Sequence, residues 1–254
     1  MHGCGNDYIY IDCFREDVSN PSELAVRFSN RHTGIGSDGL VLIMPSERAN
    51  LRMRMFNADG TEAQMCGNAS RCVARYAYEH GLVTTTDMTL ETLAGIRQLH
   101  IHLRDNKVYA VSVNMGKAQV TGEMKHKGLR IITIDIGNPH AVVFVEDLSK
   151  TDVPGLGSEI ETLPCFPNRT NVEFAQIISS NEIRMQVWER GTGETMACGT
   201  GACAVAFAAF SDNKTLPDTT LHLSGGDLQV SIKQTGEILM TGPAEEVFSG
   251  TIKI

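Results

Sequence analysis

The sequence predicts an α/β protein built from two similar halves. Its 254 residues are enough for two domains of about 120 residues each. An offset of 132 residues, the separation of Cys66 from Cys198, superposes further identical residues along the chain. Many matches on one ungapped register indicate an ancient tandem duplication. Each half then shows the same order of a Gly-Asn turn, apolar strands, a polar loop and a cysteine that opens a helix.

The repeated register includes polar and glycine positions as well as apolar ones. The matched pairs are Gly5-Asn6 with Gly137-Asn138, Arg52-Met53 with Arg184-Met185, Glu62 with Glu194, Cys66-Gly67 with Cys198-Gly199, Val73-Ala74 with Val205-Ala206, and Ala77 with Ala209. We therefore expect equivalent elements at equivalent positions of the two halves.

In the first half, "RMRMF" (52–56) alternates as a half-buried strand should. The stretch "CVARYAYEHG" (72–81) has helical apolar spacing, and Gly81 is placed to end the helix. From 88 to 116, apolar alternation around an Asp-Asn turn predicts strands joined by a hairpin.

In the second half, "RMQVW" (184–188) repeats the strand, and "CAVAFAAFSDN" (203–213) predicts the helix with Asn213 near its end. Residues 220–244 again read as strands, with a Thr-Gly turn. The boundary falls near 113–116, which gives domains 1–114 and 115–246. Residues 247–254 are expected to return to the first domain as a strand.

Charge and composition exclude several partners. Hydrophobic residues at 42% and charged residues at 20% are ordinary for a folded globular protein. The net charge is −8 and the lysines and arginines are scattered, which argues against binding nucleic acid or an anionic membrane. A small polar substrate suits this surface better.

The seven cysteines are expected to be reduced. The sequence shows neither a signal peptide nor an apolar run of membrane-spanning length, so a cytoplasmic location is expected. There, a special cysteine is more often catalytic or metal-binding than structural. The spacings from Cys66 to Cys72 and from Cys198 to Cys203 differ from the C-x-x-C of zinc and thioredoxin-like sites.

A cysteine at a helix start can be a reactive thiol. Unpaired backbone N–H groups and the helix dipole favour an anion there, so Cys66 and Cys198 are expected to form thiolates more readily than a free cysteine. The glycines that follow them leave amides open to a ligand carboxylate. The alternative is that both are small buried core residues.

Two thiols that flank one carbon suit inversion of a stereocentre, because one removes the α-proton while the other supplies a proton to the opposite face. This chemistry predicts a racemase or epimerase, and no lysine is marked for a pyridoxal Schiff base. The stretch 199–204 also fits G-x-G-x-x-A, but no buried strand precedes it, so a dinucleotide site is disfavoured.

Six stretches in order resemble the diaminopimelate epimerases, the cofactor-independent enzymes of bacterial lysine and cell-wall precursor synthesis. They are "MHGCGNDYIYID", "RHTGIGSDGLVLI", "FNADGTEAQMCGNASRC", "IDIGNPHAVVFV", "FPNRTNVEFA" and "WERGTGETMACGTGACA". The resemblance implies two pseudo-symmetric α/β domains, each of strands wrapped around a central helix, with the active site in the cleft between them. It further implies a homodimer, and a reaction without cofactor or metal.

By the same resemblance, Cys66 and Cys198 are the acid/base pair that interconverts LL- and meso-diaminopimelate. His140 and Glu189 orient the reacting amino group and tune the thiols. Substrate-binding residues are implied at Asn6, Asn57, Gly67, Asn68, Asn138, Asn171, Arg190, Gly199 and Thr200.

Plainer interpretations stay open for several of these residues. Asn6 and Asn57 also fit Asx turns, His140 fits a loop cap, and Arg190 fits a solvated surface position. The rival functions are a racemase of another amino acid, such as histidine, on the same scaffold, and a non-catalytic thiol or zinc-binding protein.

Overall fold

The structure, a computed structural model, describes residues 1–252 as two units, each with two α-helices and β-strands. Unit 1 is Met1–Val113 together with the chain from Gly242 onward, and unit 2 is Asn114–Thr241. Within the described residues, none of the helices is long and apolar enough to cross a bilayer.

Unit 1 carries a mixed sheet and a separate two-stranded ladder. Its elements are β1 (His2–Gly3), β2 (Asn6–Asp7), β3 (Ile9–Asp12), α1 (Pro21–Ser29), β4 (Gly39–Met44), β5 (Leu51–Asn57), β6 (Glu62–Ala63), α2 (Gly67–Glu79), β7 (Asp87–Thr92), β8 (Gly95–Arg104) and β9 (Lys107–Lys117), whose end continues into unit 2. The strand order is β9-β8-β7-β5-β4-β3, with β6 on β5, and β1 pairs with β2. The β3–β4 and β5–β7 pairs are parallel.

Unit 2 repeats this arrangement. Its elements are β10 (Gln119–His126), β11 (Leu129–Asp135), β12 (Pro139–Phe144), α3 (Val153–Glu161), β13 (Asn171–Ser179), β14 (Glu182–Glu189), β15 (Gly193–Thr195), α4 (Gly199–Ser211), β16 (Asp218–Leu223), β17 (Gly226–Ile232) and β18 (Glu237–Gly242), with a 3-10 turn at Leu148–Lys150. The strand order is β10-β11-β12-β13-β14-β16-β17-β18, with β15 on β14. The β12–β13 and β14–β16 pairs are parallel.

The helices recur at the 132-residue offset. Shifted by it, α1 and α2 acquire the bounds of α3 and α4 residue for residue. The short strands β6 and β15 recur to within one residue. The repeat inferred from identical residues in the sequence is therefore also a repeat of secondary structure.

Helix α4 is the centre of unit 2. It is apolar all round, as a helix without a solvent face should be, and nine of its residues are buried. It contacts β11, β12, β13, β14, β16 and β17. The prediction of strands wrapped around a central helix is confirmed here, because the alanines of α4 let strands approach on every side.

Both predicted helix ends are confirmed. Gly81 follows α2 with φ +73°, and Asn213 follows α4 with φ 55°. Glycine and asparagine tolerate this left-handed conformation better than other residues do. The Asp-Asn hairpin is confirmed as well, since Asp105 and Asn106 both have positive φ.

Helices α1 and α3 were not predicted. Each has nine residues, a polar N-cap and a proline in its first turn. Asn20 accepts from the amide of Glu23, and Asp152 accepts from that of Gly155. The caps were the available signal, but helices this short are marginal on their own and depend on packing against the sheet.

The returning strand predicted over 247–254 is wrong for 247–252, which form no strand. Residues 253 and 254 lie outside the described part of the chain. The chain returns earlier, because Glu245 bridges His2 through two backbone hydrogen bonds of 2.9 and 2.8 Å. Arg71 Nε also donates to the carbonyl of Pro243 at 3.0 Å.

Candidate active site

Two cysteines begin equivalent helices, one in each unit. Cys66 is the N-cap of α2 with φ −138°, and Cys198 is the N-cap of α4 with φ −120°. The prediction that each cysteine opens a helix is confirmed, and neither forms a disulfide. Each cysteine therefore stands at the first turn of a helix, where backbone amides lack helical partners.

Asn6 is the direct partner of Cys66. The Cys66 thiol donates to Asn6 Oδ1 at 3.5 Å, and Asn68 Nδ2 donates to the same oxygen at 3.2 Å. On its other side, Asn6 Nδ2 donates to Asp38 Oδ2 at 2.7 Å. Asp38 thus fixes which atom of the Asn6 amide faces the sulfur.

Asp38 belongs to a wider charged group in unit 1. Arg31 donates to both Asp7 and Asp38, at 2.7 and 3.1 Å. Loss of hydration on burial raises the pKa of the Asp38 carboxyl, although its hydrogen bond from Asn6 works against this. Sequence reasoning gave Asp38 no role, although it lies in "RHTGIGSDGLVLI", one of the stretches that carry the family resemblance.

Donors surround the sulfur of Cys198. The amide of Gly201 donates to Sγ at 3.4 Å, and Thr200 Oγ1 lies 3.5 Å from Sγ. Asn138 Nδ2 donates to Thr200 Oγ1 at 3.3 Å. Asn138 is the repeat equivalent of Asn6, so an asparagine accompanies the cysteine in each unit. In unit 2 the asparagine contacts the hydroxyl of Thr200, which in turn contacts the sulfur.

A buried imidazole and carboxylate complete this network. His140 is 1% exposed and Glu173 is fully buried. His140 Nδ1 lies 2.6 Å from Glu173 Oε1, while Nε2 lies 3.0 Å from Asn138 Oδ1. His140 therefore sits within β12 rather than capping a loop, which corrects that alternative.

Burial reverses the expected pKa shift of Cys198. The helix-start argument expected a lower pKa, whereas the pKa of this thiol is raised well above its ordinary value. Loss of hydration is the main cause, and the negative charges of Glu189 and Glu173 add to it. The hydrogen bonds from Thr200 and Gly201 act in the opposite direction but are outweighed.

The loop after β14 is tied to the end of β13. Asn171 Oδ1 accepts from the amide of Arg190 at 3.0 Å, and Asn171 Nδ2 donates to the carbonyl of Pro139 at 3.1 Å. Thr195 donates to Glu189 Oε1 at 2.5 Å. The guanidinium of Arg190 is exposed and reaches the carbonyl of Asn168 at 3.3 Å.

The remaining predicted residues lie at the ends of elements. Asn57 ends β5 and donates to Thr61 Oγ1 at 3.0 Å within a turn. Gly67 and Gly199 are buried first residues of α2 and α4. Within each unit, the structure thus gathers most predicted residues around its cysteine, and Asn57 stands in the turn that the plainer interpretation expected.

Glu173 was missed by sequence reasoning. It lies in the continuously buried part of β13 between Val172 and Phe174. A charged residue inside an apolar strand is rare without a partner. That glutamate in "NVEFA" was the signal, and only the structure shows that its partner is His140.

Asn138 and His140 also border a cavity of about 570 Å³ in unit 2. Strands β10 and β11 and the loop at Cys165 and Phe166 form its other walls. Among residues 1–252, no group of three or more His, Cys, Asp or Glu side chains is arranged to hold a metal ion.

The family model described as diaminopimelate epimerase matches residues 1–121 and 132–247. A diaminopimelate epimerase of Bacteroides thetaiotaomicron is 48% identical over 100% of this chain and 96% of its own. One from Methanococcus maripaludis is 43% identical over 100% of this chain and 98% of its own.

Solved structures with low sequence identity share the fold. A phenazine biosynthesis protein of the PhzF family from Bacillus anthracis has a TM-score of 0.74 at 18% identity, covering 96% of this chain and 92% of its own. A hydroxyproline epimerase from Agrobacterium vitis has a TM-score of 0.69 at 18% identity, covering 95% and 86%. These matches confirm the predicted two-part α/β fold. With a family match across nearly its whole length, the chain belongs to the diaminopimelate epimerase family.

Proposed function

We propose that the chain interconverts LL- and meso-diaminopimelate by a two-base reaction in which Cys66 and Cys198 are the acid/base pair. The observation that supports it is the N-cap cysteine that each unit presents at the same position of its repeat. Family membership supplies the substrate, because the full-length relatives at 43–48% identity carry this activity in their names.

Inversion needs one acid/base group for each face of the α-carbon. One sulfur accepts the α-proton as a thiolate, and the other delivers its thiol proton to the opposite face. The carbanion formed between these steps is stabilised by nearby N–H groups. The amides of Gly67 and Asn68, and of Gly199 and Thr200, are the proposed donors to the reacting carboxylate.

The other proposed roles follow the family resemblance. His140 and Glu189 orient the reacting amino group and act on the thiol of Cys198. The substrate is held by Asn6, Asn57, Asn138, Asn171 and Arg190, and a guanidinium is well suited to a distal carboxylate. The two units are the proposed epimerase halves, working as a homodimer in the cytoplasm without cofactor or metal.

Solvent deuterium exchange tests this function. LL- or meso-diaminopimelate incubated in D₂O with the protein is expected to gain deuterium at Cα and to reach the epimeric mixture. C66S and C198S are each expected to lose inversion, since a serine hydroxyl is too weak an acid to replace a thiol. Full epimerisation by either variant contradicts the cysteine assignment.

A panel of other amino acids under the same conditions tests the substrate. Exchange confined to diaminopimelate supports the proposal. Faster exchange into another amino acid, such as histidine, with none into diaminopimelate contradicts it.

A further inference from the structure

Glu173 lies at the start of a chain of hydrogen bonds that ends at the sulfur of Cys198. The contacts run from Glu173 Oε1 to His140 Nδ1 at 2.6 Å, and from His140 Nε2 to Asn138 Oδ1 at 3.0 Å. They continue from Asn138 Nδ2 to Thr200 Oγ1 at 3.3 Å, and from there to Cys198 Sγ at 3.5 Å.

The direction of these bonds follows from the donor inventory of each group. Asn138 presents its oxygen to His140, so Nε2 of the imidazole must carry a proton and donate it. Thr200 Oγ1 accepts from Asn138, which leaves its own proton free to point at the sulfur. The links from His140 to Asn138 and from Asn138 to Thr200 therefore donate toward Cys198, and the Thr200 hydroxyl has its proton available for the sulfur.

Glu173 makes this direction possible. With one proton on Nε2, the 2.6 Å contact between Nδ1 and Oε1 needs a second proton, because two lone pairs repel each other at this distance. That proton resides on Nδ1 or on Oε1, and in either case Nε2 keeps its own. Without a partner at Nδ1, the proton is free to move there, and Asn138 would lose its donor.

The surroundings of Glu173 match this role. Its second oxygen, Oε2, is buried without a hydrogen-bond partner among the described residues, so the bond to His140 is the one that compensates its burial. A Cβ on Gly201 would stand 2.6 Å from Oε1, which places the first turn of α4 against this oxygen.

We propose that Glu173 is a positioning residue that holds His140 in its Nε2–H form, and thereby directs the Thr200 hydroxyl as a donor onto the sulfur of Cys198. This rests on the proposed function for its catalytic consequence, but not for its hydrogen-bond geometry. The other ionisable group that acts on this sulfur is Glu189 from β14.

The test compares two variants that both lack the charge. In E173Q the amide can donate to Nδ1 and keep the Nε2–H form, whereas E173M keeps a similar length without any polar atom. We expect E173Q to retain kcat within about threefold of the parent and E173M to lose about tenfold or more, with KM for diaminopimelate little changed. Equal kcat losses in the two variants would overturn the proposal.

The titration of Cys198 gives a second readout that needs no substrate. Thiolate absorbance is followed against pH in each variant. The same titration is repeated in proteins that also carry C198A, and the difference between the two curves isolates this sulfur. Both substitutions remove the carboxyl group, so the two variants differ only in whether the hydrogen bonds from His140 to Thr200 persist. Because a hydrogen bond from Thr200 favours the thiolate, the pKa of Cys198 is expected to be higher in E173M than in E173Q. Introducing T200V should abolish that difference, because it removes the last donor. Coincident titrations of E173M and E173Q contradict the proposal.

The nitrogen NMR shifts of His140 test the first link in the parent protein, so the result stands even if E173M fails to fold. A protonated Nε2 is expected in the parent and in E173Q. An unprotonated Nε2 in the parent would overturn the proposal. The matched control is E159Q, which breaks the half-buried His126–Glu159 contact of 2.9 Å in the same unit and should change neither readout. Absence of epimerisation in all proteins, with the spectra as expected, would refute the function and leave the positioning role standing.

Discussion

At the scale of single residues, the same amino acid acquires different surroundings in the two units. Cys66 faces an amide oxygen, which can only accept its proton, whereas Cys198 receives an N–H and faces a hydroxyl. The two carboxylates near Cys198 and its burial raise the pKa of that thiol. The thiols of a symmetric repeat are therefore chemically unequal.

Gly201→Ala tests the close approach of α4 to Glu173. The added Cβ would stand 2.6 Å from Glu173 Oε1, and His140 holds that oxygen in place. We expect a loss of about 1–3 kcal/mol in the free energy of unfolding, typical of overpacking, together with reduced kcat.

Urea unfolding and steady-state kinetics measure both effects. Gly250→Ala is the control, since a Cβ there would meet nothing within 4 Å. Parent-like stability and kcat in the Gly201 variant would show that the helix start is not tightly packed on Glu173.

Glu189→Gln tests the electrostatic part of the thiol environment. Glu189 is the first of the two carboxylates that raise the pKa of Cys198. Removing its charge is expected to lower that pKa, so the thiolate forms at lower pH. The difference titration with C198A measures it, and an unchanged or higher pKa would contradict the assignment.

At the scale of elements, the N-caps distinguish the two central helices. Cys198 Sγ accepts the amide of Gly201, whereas the side chain of Cys66 makes no capping hydrogen bond to α2. Serine is among the preferred N-cap residues, while alanine cannot cap.

C198S is therefore expected to keep the stability of the parent although it loses inversion, and C198A to lose about 0.5–2 kcal/mol. C66A should lose less than C198A, because no capping bond is removed. Thermal and urea unfolding of the three variants checks the order. A C66A protein less stable than C198A would contradict it.

The elements also show where sequence patterns suffice. Helix α2 and the strands 52–56 and 184–188 were predictable from their apolar periods, and α4 from a continuous run of small apolar residues after its cysteine. Helices α1 and α3 have only nine residues each, and helices this short depend on packing that the sequence alone does not show. The strand expected over 247–254 is wrong for 247–252, since a short stretch does not by its composition secure a pairing partner.

At the scale of the whole molecule, buried groups that must stay neutral make the fold sensitive to alkali. Burial is the main cause that raises the pKa of Tyr10 and Cys72 in unit 1 and of Cys198 in unit 2. At a pH above their ordinary values, the unfolded chain releases these protons while the folded chain keeps them. The free energy of unfolding is then expected to fall as pH rises.

The fall should begin above about pH 8.5, the ordinary pKa of a thiol, at up to about 1.4 kcal/mol per pH unit for each group. Urea unfolding at a series of pH values measures the slope. C72A is expected to reduce it, whereas C165A, which removes an exposed thiol, should leave it as in the parent. Stability that is constant or rises over this range would contradict the expectation.

The sequence by itself determined the duplication, the helix-start cysteines and the family, because these are written in local periodicity and in short ordered motifs. It could not reveal that Asp38 orients Asn6 or that Glu173 is bonded to His140. These partners are 32 and 33 residues apart in the chain, and only the sheet register brings His140 beside the start of β13. The tertiary structure also decided the sign of the Cys198 pKa shift, since helix-end stabilisation acts locally, whereas burial and the nearby carboxylates exist only in the folded unit.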